Sequence, residues 1–147
     1  MARILLVEDS ELILQVTRDA LEARGHEVIA ARDGKEALRR FLEEKPDLVI
    51  TDCLIPKLNG FKLVENIRDL EGEERTPVVM TSAIYMKENY RRVAMEAGAD
   101  LYLAKPARPE EREDFLRRID ELAGSASLAA PGKEGALPQG GEGAARW

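Results

Sequence analysis

The sequence predicts an α/β fold: a five-stranded parallel sheet, strand order 2-1-3-4-5, with helices on both faces. Three observations predict it. Short apolar runs alternate five times with longer segments whose apolar residues recur at helical spacing. The runs are apolar throughout rather than alternating, as burial on both faces of a sheet requires. Three of them end in charge: Glu8-Asp9 after the first, Asp52 after the third and Lys105 after the fifth. Right-handed strand–helix–strand crossovers bring the C-terminal ends of parallel strands to one edge. In that strand order the chain reverses direction between strands one and three, and ligands bind at such a point.

Each element has its own justification. Ile4–Val7 is a short, fully apolar strand. Ile13, Val16, Thr17, Ala20 and Leu21 then repeat at helical spacing until Gly25 stops the helix. Val28–Ala31 is strand two, and His26 just before it is expected on the surface. Asp33-Gly34 makes a turn and helix start, and Ala37, Leu38, Phe41 and Leu42 line one face before Pro46. Leu48–Thr51 is strand three. Leu63, Val64, Ile67 and Leu70 mark the third helix, Pro77–Thr81 strand four, and Met86, Tyr90, Val93, Ala94 and Ala97 the fourth helix, closed by Gly98. Leu101–Ala104 is strand five. Phe115, Leu116, Ile119 and Leu122 form the inner face of the last helix, whose acidic start suits a helix N-terminus. From Gly124 the chain is mostly Gly, Ala, Pro and Ser. The expected division is a domain over 1–123 and a flexible tail over 124–147.

Composition narrows the function classes. The chain has 147 residues, 44% of them hydrophobic and 34% charged, enough for one real core. A net charge of −6 without a sustained Lys/Arg run argues against direct nucleic-acid binding. No apolar stretch approaches a membrane span, so no membrane partner is expected. The single Cys53, read as a buried small hydrophobe, excludes an internal disulfide framework and makes a cytoplasmic location the expectation.

The charged strand ends carry the chemistry. Carboxylates crowded alone on one edge would repel one another. Carboxylates joined by a lysine point to a divalent cation and a transferable phosphoryl group. Taken alone, Asp52 could also be an acid that ends a strand, and Asp9-Ser10 a plain helix cap.

Four pieces, at these spacings on five strand–helix units, carry a family resemblance: Val7-Glu8-Asp9; Asp52 with Pro56 and Gly60; Thr81-Ser82-Ala83; and Tyr102-Leu103-Ala104-Lys105-Pro106. Residues 2–123 resemble the receiver domain of bacterial response regulators, the aspartate-phosphorylated half of two-component systems, which has a flavodoxin-like fold. The resemblance implies that Asp52 is the phosphoacceptor. It implies a Mg²⁺ cofactor held by Asp9, Asp52 and the backbone carbonyl of Leu54, with Glu8 acting through a water. Ser82 would bind a phosphoryl oxygen, with Thr81 as its rival, and Lys105 would supply the remaining positive charge. Tyr102 would be the switch aromatic, rotating inward when Ser82 moves, and Lys105-Pro106 would be a cis peptide. Leu54 and Ile84, each two residues after a reactive position, would shield the acyl phosphate from water.

The resemblance also implies partners: a sensor histidine kinase or histidine phosphotransfer protein as donor, and a downstream protein as target. Phosphorylation would shift populations of a two-state surface, with no net catalysis. Two other readings stay open: the N-terminal receiver of a longer regulator with a DNA-binding or enzymatic output domain, and a flavodoxin-like small-molecule binder or phosphohydrolase.

Overall fold

In the computed structural model, residues 1–83 and 88–135 are described, with side chains for 1–83 and 89–124. Strands β1 (Arg3–Val7), β2 (Glu27–Ala31), β3 (Leu48–Asp52), β4 (Val78–Ser82) and β5 (Leu101–Ala104) alternate with helices α1 (Glu11–Ala23), α2 (Gly34–Glu44), α3 (Gly60–Leu70), α4 (Glu88–Ala97) and α5 (Pro109–Gly135). All four strand pairings are parallel and the order is β2-β1-β3-β4-β5, as the sequence predicts. The central strands β3 and β4 are buried along their whole length, whereas edge strand β5 is only half covered.

Local chemistry starts the helices where the sequence places them. Ser10, Asp33 and Asn59 cap α1, α2 and α3, each side chain accepting a backbone N–H three residues on. Two apolar layers sandwich the sheet. Leu5, Val49, Leu63, Ile67 and Met80 belong to the layer under α2, α3 and α4; Ile4, Leu21, Leu48 and Ile119 belong to the layer under α1 and α5.

Several expectations are corrected. On α1 the buried residues are Leu14 and Leu21, whereas Ile13 and Val16 stay largely exposed. The helix is turned so that Leu12, Ile13 and Val16 line a groove of about 230 Å³ facing Phe115 and Leu116 of α5. His26 is buried, not on the surface. Its Nδ1 accepts the Ala2 N–H at 3.2 Å and its Nε2 lies 2.8 Å from Asp120 Oδ1 of α5, and these partners let a polar ring be buried. No cis peptide occurs among the described residues, so Lys105-Pro106 is trans, the isomer that the intrinsic preference of an X-Pro bond favours. The last helix continues past the expected end near Leu122, through Gly124, to Gly135. Two expected sites, Ile84 and Met86, lie outside the described residues. No helix among the described residues is long and apolar enough to cross a membrane.

Candidate functional site

The parallel register assembles the C-terminal edge. Val7 pairs with Thr51 and Asp52 with Thr81, so the acidic ends of β1 and β3 emerge side by side at the reversal of strand order. Glu8 leaves β1 with its N–H donated to Ala31 O at 3.0 Å, while its Oε2 accepts the Ser10 N–H at 3.1 Å. Asp52 closes β3, 7% exposed, and the Leu54 N–H reaches its Oδ1 at 3.4 Å. The loop behind Asp52 is pinned twice. Gly34 N–H donates to Pro56 O at 3.1 Å, and Gly60 N–H returns to Cys53 O at 3.0 Å. A side chain at Gly60 would start 2.3 Å from the Asp52 carbonyl, so only glycine lets α3 begin this close to the acid.

Lys105 enters from the far side. Its N–H donates to Ser82 O at 2.8 Å, fixing the exit of β5. Its Nζ then sits 2.7 Å from Asp52 Oδ2 and 2.9 Å from Glu8 Oε1. Burial pulls the ammonium toward neutrality, but the bonds to Asp52 and Glu8 outweigh it and hold Lys105 above its ordinary value. Burial pushes Glu8 up, against the bonds from Lys105 and the Ser10 N–H that pull it down. The lysine therefore bridges two carboxylates that would otherwise resist sharing this edge.

Asp9 is exposed beside them. Glu8, Asp9 and Asp52 each offer a carboxylate oxygen, and these lie within 4.8 Å of one another. A cluster of hard oxygen donors of this size can hold a divalent cation. Ser82, 2% exposed at the end of β4, has its Oγ 2.5 Å from the Tyr102 hydroxyl. Thr81 points the other way and lines the groove between α1 and α5. Cys53 is fully buried, and burial with the charge of Asp52 pushes its thiol up to about 12, so it remains a protonated, unreactive filler. Sequence reasoning missed Arg91 of α4, whose guanidinium lies 5.3 Å from the centre of the Tyr102 ring. Nothing distinguishes it in the sequence from its neighbour Arg92.

Residues 4–117 match the family model of the response regulator receiver domain. The chain belongs to that family. Among curated relatives, this receiver is 35% identical over 133 residues to the alkaline phosphatase synthesis transcriptional regulatory protein PhoP of Bacillus subtilis (strain 168), covering 90% of this chain and 52% of PhoP. The chain thus spans about half the length of the first curated relatives it matches. It is 34% identical over 103 residues to the polar-differentiation response regulator DivK of Brucella anthropi, covering 70% of this chain and 83% of DivK. Among solved structures, the receiver domain of sensor histidine kinase PA1611 from Pseudomonas aeruginosa, which has a magnesium ion coordinated in its active site cleft, superposes with a TM-score of 0.68 at 32% identity. That match covers 80% of this chain and 95% of the other. The receiver is therefore a two-component signalling protein by family, and its acidic cluster lies where its fold gathers ligands.

Proposed function

We propose that this receiver accepts a phosphoryl group on Asp52 from a histidine kinase or phosphotransfer protein, and passes the signal on by protein–protein contact. One observation carries the reading: Asp52 is held at 2.7 Å by Lys105, within reach of the Glu8 and Asp9 carboxylates, at the reversal point of the sheet. The transfer is in-line. An Asp52 carboxylate oxygen forms the new bond to phosphorus as the bond to the donor's imidazole nitrogen breaks; the donor ring, already protonated at its other nitrogen, leaves as neutral imidazole. Lys105 offers a point charge to a phosphoryl oxygen. Ser82 offers a hydroxyl to another.

The carboxylate set fits Mg²⁺, and the PA1611 receiver, 32% identical, has a magnesium ion coordinated in its active site cleft. Asp9, Asp52 and the Leu54 carbonyl would hold it, with Glu8 behind a water. When bound it neutralises charge on the transferring group. Family membership gives no support to a flavodoxin-like binder or a phosphohydrolase. A cytoplasmic location fits a partner kinase that acts inside the cell.

Intact mass with a small phosphodonor, with and without Mg²⁺, tests the reading. The wild type is expected to gain one phosphate, labile to both acid and base as an acyl phosphate is, only with Mg²⁺, and Asp52→Asn none. Equal labelling of Asp52→Asn sinks it.

A second reading has its own support. Longer relatives, of which about half is matched, align over 88% to 90% of this chain, beyond the family match at 4–117. The receiver would then be the N-terminal part of a longer regulator, and the length of the parent open reading frame decides it. In that case residues 1–123 remain the folded receiver and the segment from 124 serves as its connection.

A further inference from the structure

Most of the groove between α1 and α5 lies outside the phosphoryl chemistry. Leu12, Ile13 and Val16 on one wall and Phe115 and Leu116 on the other enclose about 230 Å³, and the α1 wall is exposed. Two polar groups interrupt this apolar lining. On the floor, Thr81 is 5% exposed, and its hydroxyl finds no hydrogen-bond partner among the described residues. A hydroxyl this buried ordinarily has one, because leaving the bond unmade costs stability. At the rim, Arg112 of α5 is exposed and forms no ion pair among the described residues. The acids around it are already claimed: Glu111 by Arg108, Glu113 by Arg24 and Asp114 by Arg117. At the inner end, Glu8 and Lys105 hold each other at 2.9 Å.

We propose that this groove binds a small aromatic carboxylic acid with a hydroxyl at its far end: the carboxylate on Arg112, the ring between the α1 and α5 walls, and the hydroxyl on Thr81. Charge sets the sign of the ligand. Lys105 is engaged by carboxylates, whereas Arg112 is not, and its planar guanidinium matches a carboxylate with two parallel hydrogen bonds. Volume sets the size. About 230 Å³ holds roughly a dozen non-hydrogen atoms at the packing density of a protein interior, which is one ring with a short arm. A rigid ring also gives up little conformational freedom on entering an apolar slot. Thr81 sets the far end, since its hydroxyl can both donate to the ligand and accept from it. Thr81 is the ladder partner of Asp52. A bound acid therefore lies against the back of the acidic edge, which gives the receiver a chemical input beside the phosphoryl one.

The experiment is calorimetric titration of the full chain with para-hydroxycinnamate, with cinnamate, which lacks the hydroxyl, and with para-hydroxycinnamamide, which lacks the charge. A ligand of this size is expected to bind the wild type with a dissociation constant between about 10 µM and about 1 mM. Cinnamate is expected to bind about tenfold more weakly, through the loss of one buried hydrogen bond. The amide is expected to bind several-fold more weakly, since Arg112 is exposed. Thr81→Val keeps the shape of the floor. It is expected to bind para-hydroxycinnamate no better than cinnamate, with its cinnamate affinity unchanged from wild type. Arg112→Gln is expected to bind acid and amide alike. No saturable binding of para-hydroxycinnamate by the wild type up to about 10 mM overturns the proposal. So does a Thr81→Val or Arg112→Gln protein that keeps the full preference of the wild type, which places the acid elsewhere on the surface. A Thr81→Val protein that loses cinnamate as well also overturns it, for the hydroxyl then serves packing alone. None of these readouts depends on phosphorylation of Asp52, so their failure leaves the reading of Asp52 as phosphoacceptor standing.

Discussion

Replacing Lys105 by Met removes the cation and keeps the stem. In the structure that ammonium closes two contacts, at 2.7 and 2.9 Å, with carboxylates that themselves lie within 4.8 Å of each other. At an effective dielectric of about 20, each attraction is about 6 kcal/mol and the carboxylate repulsion about 3 to 4 kcal/mol. The cost of desolvating the ammonium offsets much of the attraction, and breaking a buried pair from one side typically costs about 3–5 kcal/mol. The Lys105 side chain is 22% exposed, which screens it in part. Lys105→Met is therefore expected to destabilise by about 2–4 kcal/mol near neutral pH without Mg²⁺. The loss should depend on pH. Burial already raises Glu8 above its ordinary 4.5, and without Lys105 it rises further. A carboxyl raised in the folded state binds its proton more tightly there than in the unfolded chain. Its stabilising effect is fully present below 4.5 and disappears as the pH climbs through the raised value. Urea unfolding of both proteins at about pH 5 and about pH 8 is expected to show the larger gap at the higher pH, with Mg²⁺ narrowing it there. A gap that is the same at both pH values, or no gap, would refute the bridging role of Lys105.

Further outcomes follow from the same geometry. Mg²⁺ at a hundredfold excess over its dissociation constant is expected to stabilise the wild type by about 2.7 kcal/mol, read as a rise in melting temperature, and Asp9→Ala to remove the response. Leu54, 48% exposed beside the acid, should shield the acyl phosphate, so Leu54→Asn is expected to lose phosphate faster than wild type in a decay time course. Gly34→Ala would set a methyl 2.0 Å from Leu58 O, and urea unfolding should show a loss of about 1–3 kcal/mol as the loop behind Asp52 is displaced. A chain truncated after Gly124 keeps every cluster member among the described side chains, the last being Ala123, so its unfolding free energy should change by under about 0.5 kcal/mol.

The sheet, its order and the edge that gathers Glu8, Asp9, Asp52 and Lys105 were legible because each rests on a pattern within a few residues: an apolar run, a cap, a charge at its end. What was not legible depends on elements distant in sequence. His26 becomes buried only because Asp120, 94 residues away, and Ala2 meet its ring. The α1 stripe shifted because Leu12, Ile13 and Val16 face α5 across a groove, and apolar periodicity alone cannot tell a core face from a groove wall. The end of α5 was misread because Gly124 and Ser125 are weak helix formers, yet the helix continues through them. The bond between Ser82 and Tyr102 spans two strands, and Arg91 gave no local cue at all.

The ion bridge also sets an order of events during synthesis. A chain made from its N-terminus exposes Glu8, Asp9 and then Asp52 more than fifty residues before Lys105 leaves the ribosome. At about 5–20 residues per second, the acidic edge waits seconds for its counter-charge. If β3 paired with β1 in that interval, Glu8 and Asp52 would meet before their lysine exists. The acidic edge is therefore expected to close late, once β5 delivers Lys105, or earlier only where a divalent cation stands in for the ammonium.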